Sequence, residues 1–202
     1  MYKHTFHPSI LRSYDIRGIF EETLNKEDAF MIGYFFGLTV KKKMPAKLKP
    51  LIIIGMDGRL SSPILEEHLN VGLQKSGCKV YRIGLGPTPM LYFASYYYKA
   101  DAAIQITGSH NPKNYNGFKI VLNQNSFFGD DIQKLGELAK AGHSKTYKGL
   151  SKNVYINDKY VEKIIEPIKN INEKLVNKTI VWDCGNGASG PSVEMLTKKN
   201  SR

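Results

Sequence analysis

The run Thr107-Gly108-Ser109-His110-Asn111-Pro112 holds the densest chemistry in the chain. It follows Ala102-Ala103-Ile104-Gln105-Ile106, an apolar run that reads as a buried strand, and leads to Gly117-Phe118-Lys119-Ile120-Val121-Leu122, the strand leaving the loop. A serine so placed lies at the carboxyl edge of a parallel sheet, where open α/β folds bind ligands. Asn111-Pro112 forces a turn, because proline fixes its own φ and restricts its neighbour. Gly108 removes a side chain that would crowd an incoming phosphate. Taken alone, Ser109 reads as an ordinary hydroxyl where a strand enters a turn.

Three rival motifs fail. A hydrolase elbow needs Gly-x-Ser-x-Gly, but Thr107 and Asn111 stand where the glycines belong. A P-loop needs Gly-Lys-Ser/Thr after four variable residues, and no such run occurs. Gly84-Leu85-Gly86 begins like a dinucleotide fingerprint, but Pro89 takes the third glycine position. Phosphoserine chemistry is left without a motif competitor.

The elements that must position this loop alternate β-branched runs with amphipathic stretches, an α/β pattern. Asn25 caps a helix with Glu27 and Asp28 in its first turn, running through Phe35 and Leu38 towards Lys41-Lys42-Lys43. Leu51-Ile52-Ile53-Ile54 is a buried strand, and Ser61-Ser62-Pro63 reads as an N-cap and first-turn proline of a helix closed by Gly77. A strand near 78–83, an aromatic helix over Met90 to Lys99, and helices near 130–141 and 157–170 complete the reading, the last ended near Pro167. Lys178 to Asp183 reads as one more strand, followed by Cys184-Gly185-Asn186-Gly187-Ala188-Ser189-Gly190 and a helix from Pro191. One strand and one helix cannot bury a core of their own. The expected organisation is a mixed or mostly parallel sheet sandwiched by helices over 1–150, a helical linker at 151–176, and the first βα unit of a second, truncated domain at 177–202.

With 42% hydrophobic and 23% charged residues, the composition is that of a globular chain. No apolar run approaches the ~20 residues of a membrane-spanning helix. The start, Met1-Tyr2-Lys3-His4, has no signal-peptide core, and Cys78 and Cys184 fall in unlike contexts. A cytoplasmic protein with two free thiols is expected. Net charge is +11, from 29 Lys plus Arg against 18 Asp plus Glu. The lysines are dispersed, and their densest cluster lacks aromatic interleaving, so an anionic small substrate is expected rather than nucleic acid.

Together with Tyr115-Asn116-Gly117-Phe118-Lys119-Ile120, the serine run resembles the active-site segment of the α-D-phosphohexomutases, most closely the bacterial phosphomannomutase/phosphoglucomutase group. Tyr14-Asp15-Ile16-Arg17-Gly18 resembles that family's N-terminal signature. Gly55-Met56-Asp57-Gly58-Arg59 with Ser61-Ser62-Pro63 resembles its second, and Asp183-Cys184-Gly185-Asn186-Gly187-Ala188 the entry to its second domain. The resemblance implies a phosphoserine that gives its phosphoryl group to a hexose monophosphate. The bisphosphate turns in the cleft and returns its other phosphate. It implies Ser109 as the carrier and, through a phosphate oxygen, as one ligand of Mg²⁺.

Arg17 is the expected charge clamp, since a guanidinium can hold two phosphate oxygens; its alternative is a surface ion pair with Asp15. Lys119 is the candidate general acid/base, or else a solvated strand lysine. His110 is expected to orient phosphate or substrate, with Tyr14 and Asn111 as supporting substrate-binding residues. Asp57 and Arg59 read as a salt-bridged frame beside the site.

The family's metal loop, Asp-Gly-Asp-x-Asp-Arg, does not occur in this sequence. A hard Mg²⁺ ion requires such a carboxylate cluster. Two expectations therefore stand side by side: a hexose-phosphate mutase acting on mannose or glucose phosphate, and an inactive remnant or half of a split enzyme served by a complementary C-terminal chain. Ile180, Val181 and Trp182 form an apolar strand expected to aggregate or to pair with a partner.

Overall fold

The computed structural model describes residues 1–168 and 179–199. Their elements, in chain order, are β1 (Ile16–Ile19), α1 (Lys26–Lys43), β2 (Leu51–Met56), α2 (Ser62–Lys75), β3 (Lys79–Leu85), α3 (Thr88–Tyr97), β4 (Ala102–Ile106) and β5 (Tyr115–Leu122). There follow β6 (Asn125–Ser126), α4 (Asp130–Ala141), β7 (Leu150–Asn153), α5 (Asn157–Ile165), a 3₁₀ turn (Glu166–Ile168) and α6 (Gly190–Lys199). The strands form one mixed sheet in the order β1-β5-β4-β2-β3-β7, with β6 beside β5. Strands β4, β2, β3 and β7 run parallel, while β5 is antiparallel to β4, β1 and β6.

Both sheet faces are buried at the centre, which is why β2 and β4 are continuous apolar runs. Ile52, Ile54, Ile104 and Ile106 meet Phe35, Phe36, Leu69 and Leu73 of α1 and α2 on one face. Ile53, Ala103 and Val121 meet Met90, Leu91 and Ala94 of α3 on the other. The parallel strands β2, β3 and β4 all end at one edge, so the loops after them converge there.

Helix α1 starts on a full capping box: the Asn25 side chain accepts from Asp28 N–H, and the Asp28 carboxylate accepts from Asn25 N–H. His4 also bonds Asp28, at 2.6 Å, tying the N-terminal arm to the helix start. Helices α1 and α2 touch backbone to backbone. A Cβ on Gly72 would lie 2.1 Å from the Phe30 carbonyl oxygen, and one on Gly33 2.3 Å from that of Leu69.

The structure departs from the sequence expectations at three places. Ser61 precedes α2 but makes no side-chain cap; its hydroxyl accepts from Asn116 instead, at 2.8 Å. The sheet continues past position 150 through β7, whose Leu-Ser-Lys-Asn sequence lacks an apolar face because it is an edge strand. Residues 179–183 form no strand; position 178 lies outside the described residues. Val181 is 88% exposed, and a strand needs a neighbour for its backbone groups. Helix α6 packs on α5 through Leu196, Val161 and Ile165, and Ser192 Oγ donates to Asn157.

Cys78 is buried beside Ser76, and burial pushes its thiol up to about 11, whereas Cys184 is partly exposed. A disulfide reagent at pH 8 should therefore titrate one thiol in the folded chain and both in denaturant. Gly72→Ala should cost about 1–3 kcal/mol in urea unfolding, because the two helix backbones must separate.

Candidate active site

The chain leaving β2 turns at Asp57, whose N–H donates to Ile106 O at the end of β4. The Asp57 carboxylate then accepts three hydrogen bonds and forms one ion pair. Oδ1 accepts from Arg59 N–H (3.1 Å) and the Ser62 hydroxyl (2.7 Å). Oδ2 accepts from Gly108 N–H (3.0 Å) and faces Arg59 Nε at 3.3 Å. One side chain thus joins the end of β2, the start of α2 and the serine loop.

Arg59 is the second half of this knot. Its Nη1 donates to the carbonyls of Pro112 (2.5 Å) and Tyr115 (3.0 Å), and its Nη2 to those of Asn111 (2.7 Å) and Ser109 (3.2 Å). The expected salt-bridged frame is present, and it reaches across the whole loop. Gly108 has a different reason from the one expected: a Cβ there would lie 2.0 Å from the Arg59 guanidinium carbon, so the glycine makes room for the arginine.

Ser109 is exposed and sits at φ +52°, in the left-handed region that costs a side-chain-bearing residue about 1–2 kcal/mol. The loop holds it there. Its N–H donates to Thr107 Oγ1 (2.9 Å), while Asn111 returns both its backbone and side-chain N–H to Gly108 O. Asn116 clamps the far side, donating to Ser61 and Ser62 hydroxyls and accepting from Gly117 N–H.

A cleft of about 930 Å³ opens over this loop, lined by Ser109, His110, Asn111, Lys113 and Lys119, by the loop after β3 at Gly86 and Thr88, and by Gly185–Ser189. Lys119 stands directly across from Gln105 in the β4–β5 register, so the two share one face of the sheet. Among the described residues the Lys119 ammonium has no hydrogen-bonding or ion-pairing partner, which leaves it available to a ligand. Gln105 is buried and donates to Gly86 O, fixing the loop after β3.

Arg17 and Tyr14 do not line the cleft. Arg17 is 1% exposed and lies on β1 beneath the loop, donating to Thr107 O and to the Asp15 carboxylate. The alternative reading of Arg17, a pair with Asp15, is the one present, but its arginine end is buried. Tyr14 is 85% exposed.

The described residues do not fit a Mg²⁺ cage. Among the described residues no three His, Cys, Asp or Glu side chains gather to hold a metal. Asp57, the one carboxylate lining the cleft, has both oxygens committed to donors.

The model of phosphoglucomutase/phosphomannomutase, alpha/beta/alpha domain I, matches residues 8–146. The chain belongs to this family. A phosphomannomutase/phosphoglucomutase of Pseudomonas syringae pv. tomato is 43% identical over 182 residues, which are 90% of this chain and 37% of that protein. A phosphoglucomutase of Neisseria gonorrhoeae is 38% identical over 94% of this chain and 40% of its own length. The crystal structure of a phosphoglucomutase/phosphomannomutase family protein from Burkholderia thailandensis superposes with a TM-score of 0.80 at 33% identity, covering 96% of this chain and 42% of that one. The chain thus spans about two fifths of the length of these relatives.

Within the family segment, Thr107 and Asn116 belong to the motif runs, yet their types and spacing assign them no role. Their signal was side-chain hydrogen-bonding capacity at the two ends of the loop, which spacing alone does not direct to a partner. The cleft wall at Lys113 and Ser189 carried no signal of its own.

Arg17→Met keeps the stem and deletes the donors, leaving Thr107 O and Asp15 unpaired beneath the loop. It should cost about 1.5–3 kcal/mol in urea unfolding. Tyr14→Ala should stay within about 0.5 kcal/mol of the parent chain.

Proposed function

We propose that Ser109 carries the phosphoryl group of a phosphohexose mutase that interconverts hexose 6-phosphate and hexose 1-phosphate. The observation that carries this reading is the exposed Ser109 hydroxyl on a pinned loop, beside an unpartnered Lys119 in one cleft. In the first transfer a sugar hydroxyl oxygen attacks the phosphorus and the bond to Ser109 Oγ breaks. As the neutral amine, Lys119 takes the proton of the attacking hydroxyl and passes it to the departing Ser109 Oγ. In the return transfer Ser109 gives that proton back to Lys119 as its Oγ attacks the other phosphate of the bisphosphate, and Lys119 delivers it to the leaving sugar oxygen. Phosphoryl transfer needs positioning and charge neutralisation more than covalent help.

His110 and Asn111 contact the sugar or its phosphate from the cleft wall. Arg17 acts from behind, through the carbonyl of Thr107, whose hydroxyl holds the Ser109 amide. Tyr14, outside the cleft lining, reaches only a substrate that extends beyond it. Mannose and glucose phosphates are both proposed substrates, in the cytoplasm. Family members of this kind take Mg²⁺, and its carboxylate ligands would come from a segment other than the one described.

A second reading is favoured by the fully committed Asp57 and by the two-fifths coverage: the 202-residue chain is the phosphoryl-carrying part and does not turn over alone. With mannose 1-phosphate and Mg²⁺ the purified chain should show no mutase activity, and robust turnover would contradict this. Fused to the remainder of the Pseudomonas syringae relative it should turn over. In that fusion Ser109→Ala should abolish turnover, and Lys119→Met should lower kcat by about 10²–10⁴-fold. Wild-type kcat in the lysine variant would remove Lys119 from the mechanism.

A further inference from the structure

We infer that Arg59 is the positioning residue on which the serine loop is moulded, which rests on Ser109 being the phosphoryl carrier. Four carbonyls, those of Ser109, Asn111, Pro112 and Tyr115, converge on one guanidinium whose Nε faces Asp57. A planar fork with five N–H donors satisfies such a set, and a lysine ammonium with three cannot. The loop therefore closes around a cation in addition to the backbone bonds from Asn111 to Gly108 and from Tyr115 to Pro112.

Two consequences bear on catalysis. The carbonyl dipoles point at Arg59, so their negative ends are neutralised beside the position a phosphate dianion must occupy. Ser109 is also held at φ +52° by a bond to its own carbonyl, so the nucleophile's backbone is fixed before substrate binds. Gly108 completes the device, since only a residue without Cβ leaves the guanidinium its place. Arg59 acts through the loop, as Lys119 and Ser109 do the chemistry.

Amide hydrogen exchange on the full 202-residue chain reads the loop directly. Arg59→Gln and Arg59→Lys should each speed exchange across residues 107–116 by about tenfold or more, while β2 and β4 keep their protection. Unchanged exchange in the glutamine variant, or full protection in the lysine variant, would overturn the inference, the latter by showing that charge suffices without the fork. Gly108→Ala tests the fit independently. It should loosen the loop in the parent chain and add little in an Arg59→Ala background, where the methyl fills vacated space; additive effects would also overturn it.

The positioning role is read, in the fusion to the remainder of the Pseudomonas syringae relative, by the rate at which Ser109 gains a phosphoryl group from a hexose bisphosphate. That rate should fall in Arg59→Ala and recover when guanidinium ion is added at low millimolar concentration; no recovery counts against positioning. If the fusion never takes the phosphoryl group, the mutase reading fails, while the exchange data still decide what Arg59 does.

Discussion

The rest of the site depends on the carboxylate of Asp57. Its two oxygens accept from the Ser62 hydroxyl, the Gly108 amide and the backbone N–H of Arg59, and pair with the Arg59 guanidinium, so the end of β2, the start of α2 and the serine loop meet on one side chain. Both oxygens of Asp57 are thereby occupied. This occupancy has two effects. It fixes the serine loop to the sheet through a charged acceptor, the stronger kind of hydrogen bond. It also leaves no free carboxylate among the described residues that line the cleft, whose positive side chains are Arg59, Lys113 and Lys119.

The sheet makes that meeting possible. Parallel β2, β3 and β4 deliver Asp57, Gly86 and Thr107 to one edge, and the antiparallel return of β5 brings Lys119 beside Gln105. The precision of this edge is set far below it, where α1 and α2 approach through Gly33 and Gly72 and clamp the central strands from one face. Arg17, on β1, closes the arrangement from beneath by holding the Thr107 carbonyl. Local strain at Ser109 is tolerated because so many groups over-determine the loop.

Much of this was legible in the sequence. The central strands announce themselves as apolar runs because both their faces are buried, and the Asn25 cap with Asp28 fixes the start of α1. Edge strands are another matter: β7 is polar and β1 short, so neither has a periodic signal. Hydrogen-bond direction is also invisible to spacing. Ser61 could cap α2 or accept from Asn116, and the buried amide wins. Gly108 was legible as necessary, but not the guanidinium that requires it. The apolar stretch Ile180 to Trp182 has strand propensity and no strand, because propensity cannot supply a neighbouring ladder.

The central claim is that Ser109 carries the phosphoryl group. Intact mass spectrometry with peptide mapping, after the chain, fused to the remainder of the Pseudomonas syringae relative, is exposed to a hexose bisphosphate and Mg²⁺, tests it most directly. The account predicts one added phosphoryl group, mapped to Ser109 and absent from Ser109→Ala. Phosphorylation at any other residue, or an equal mass gain in the alanine variant, would contradict it.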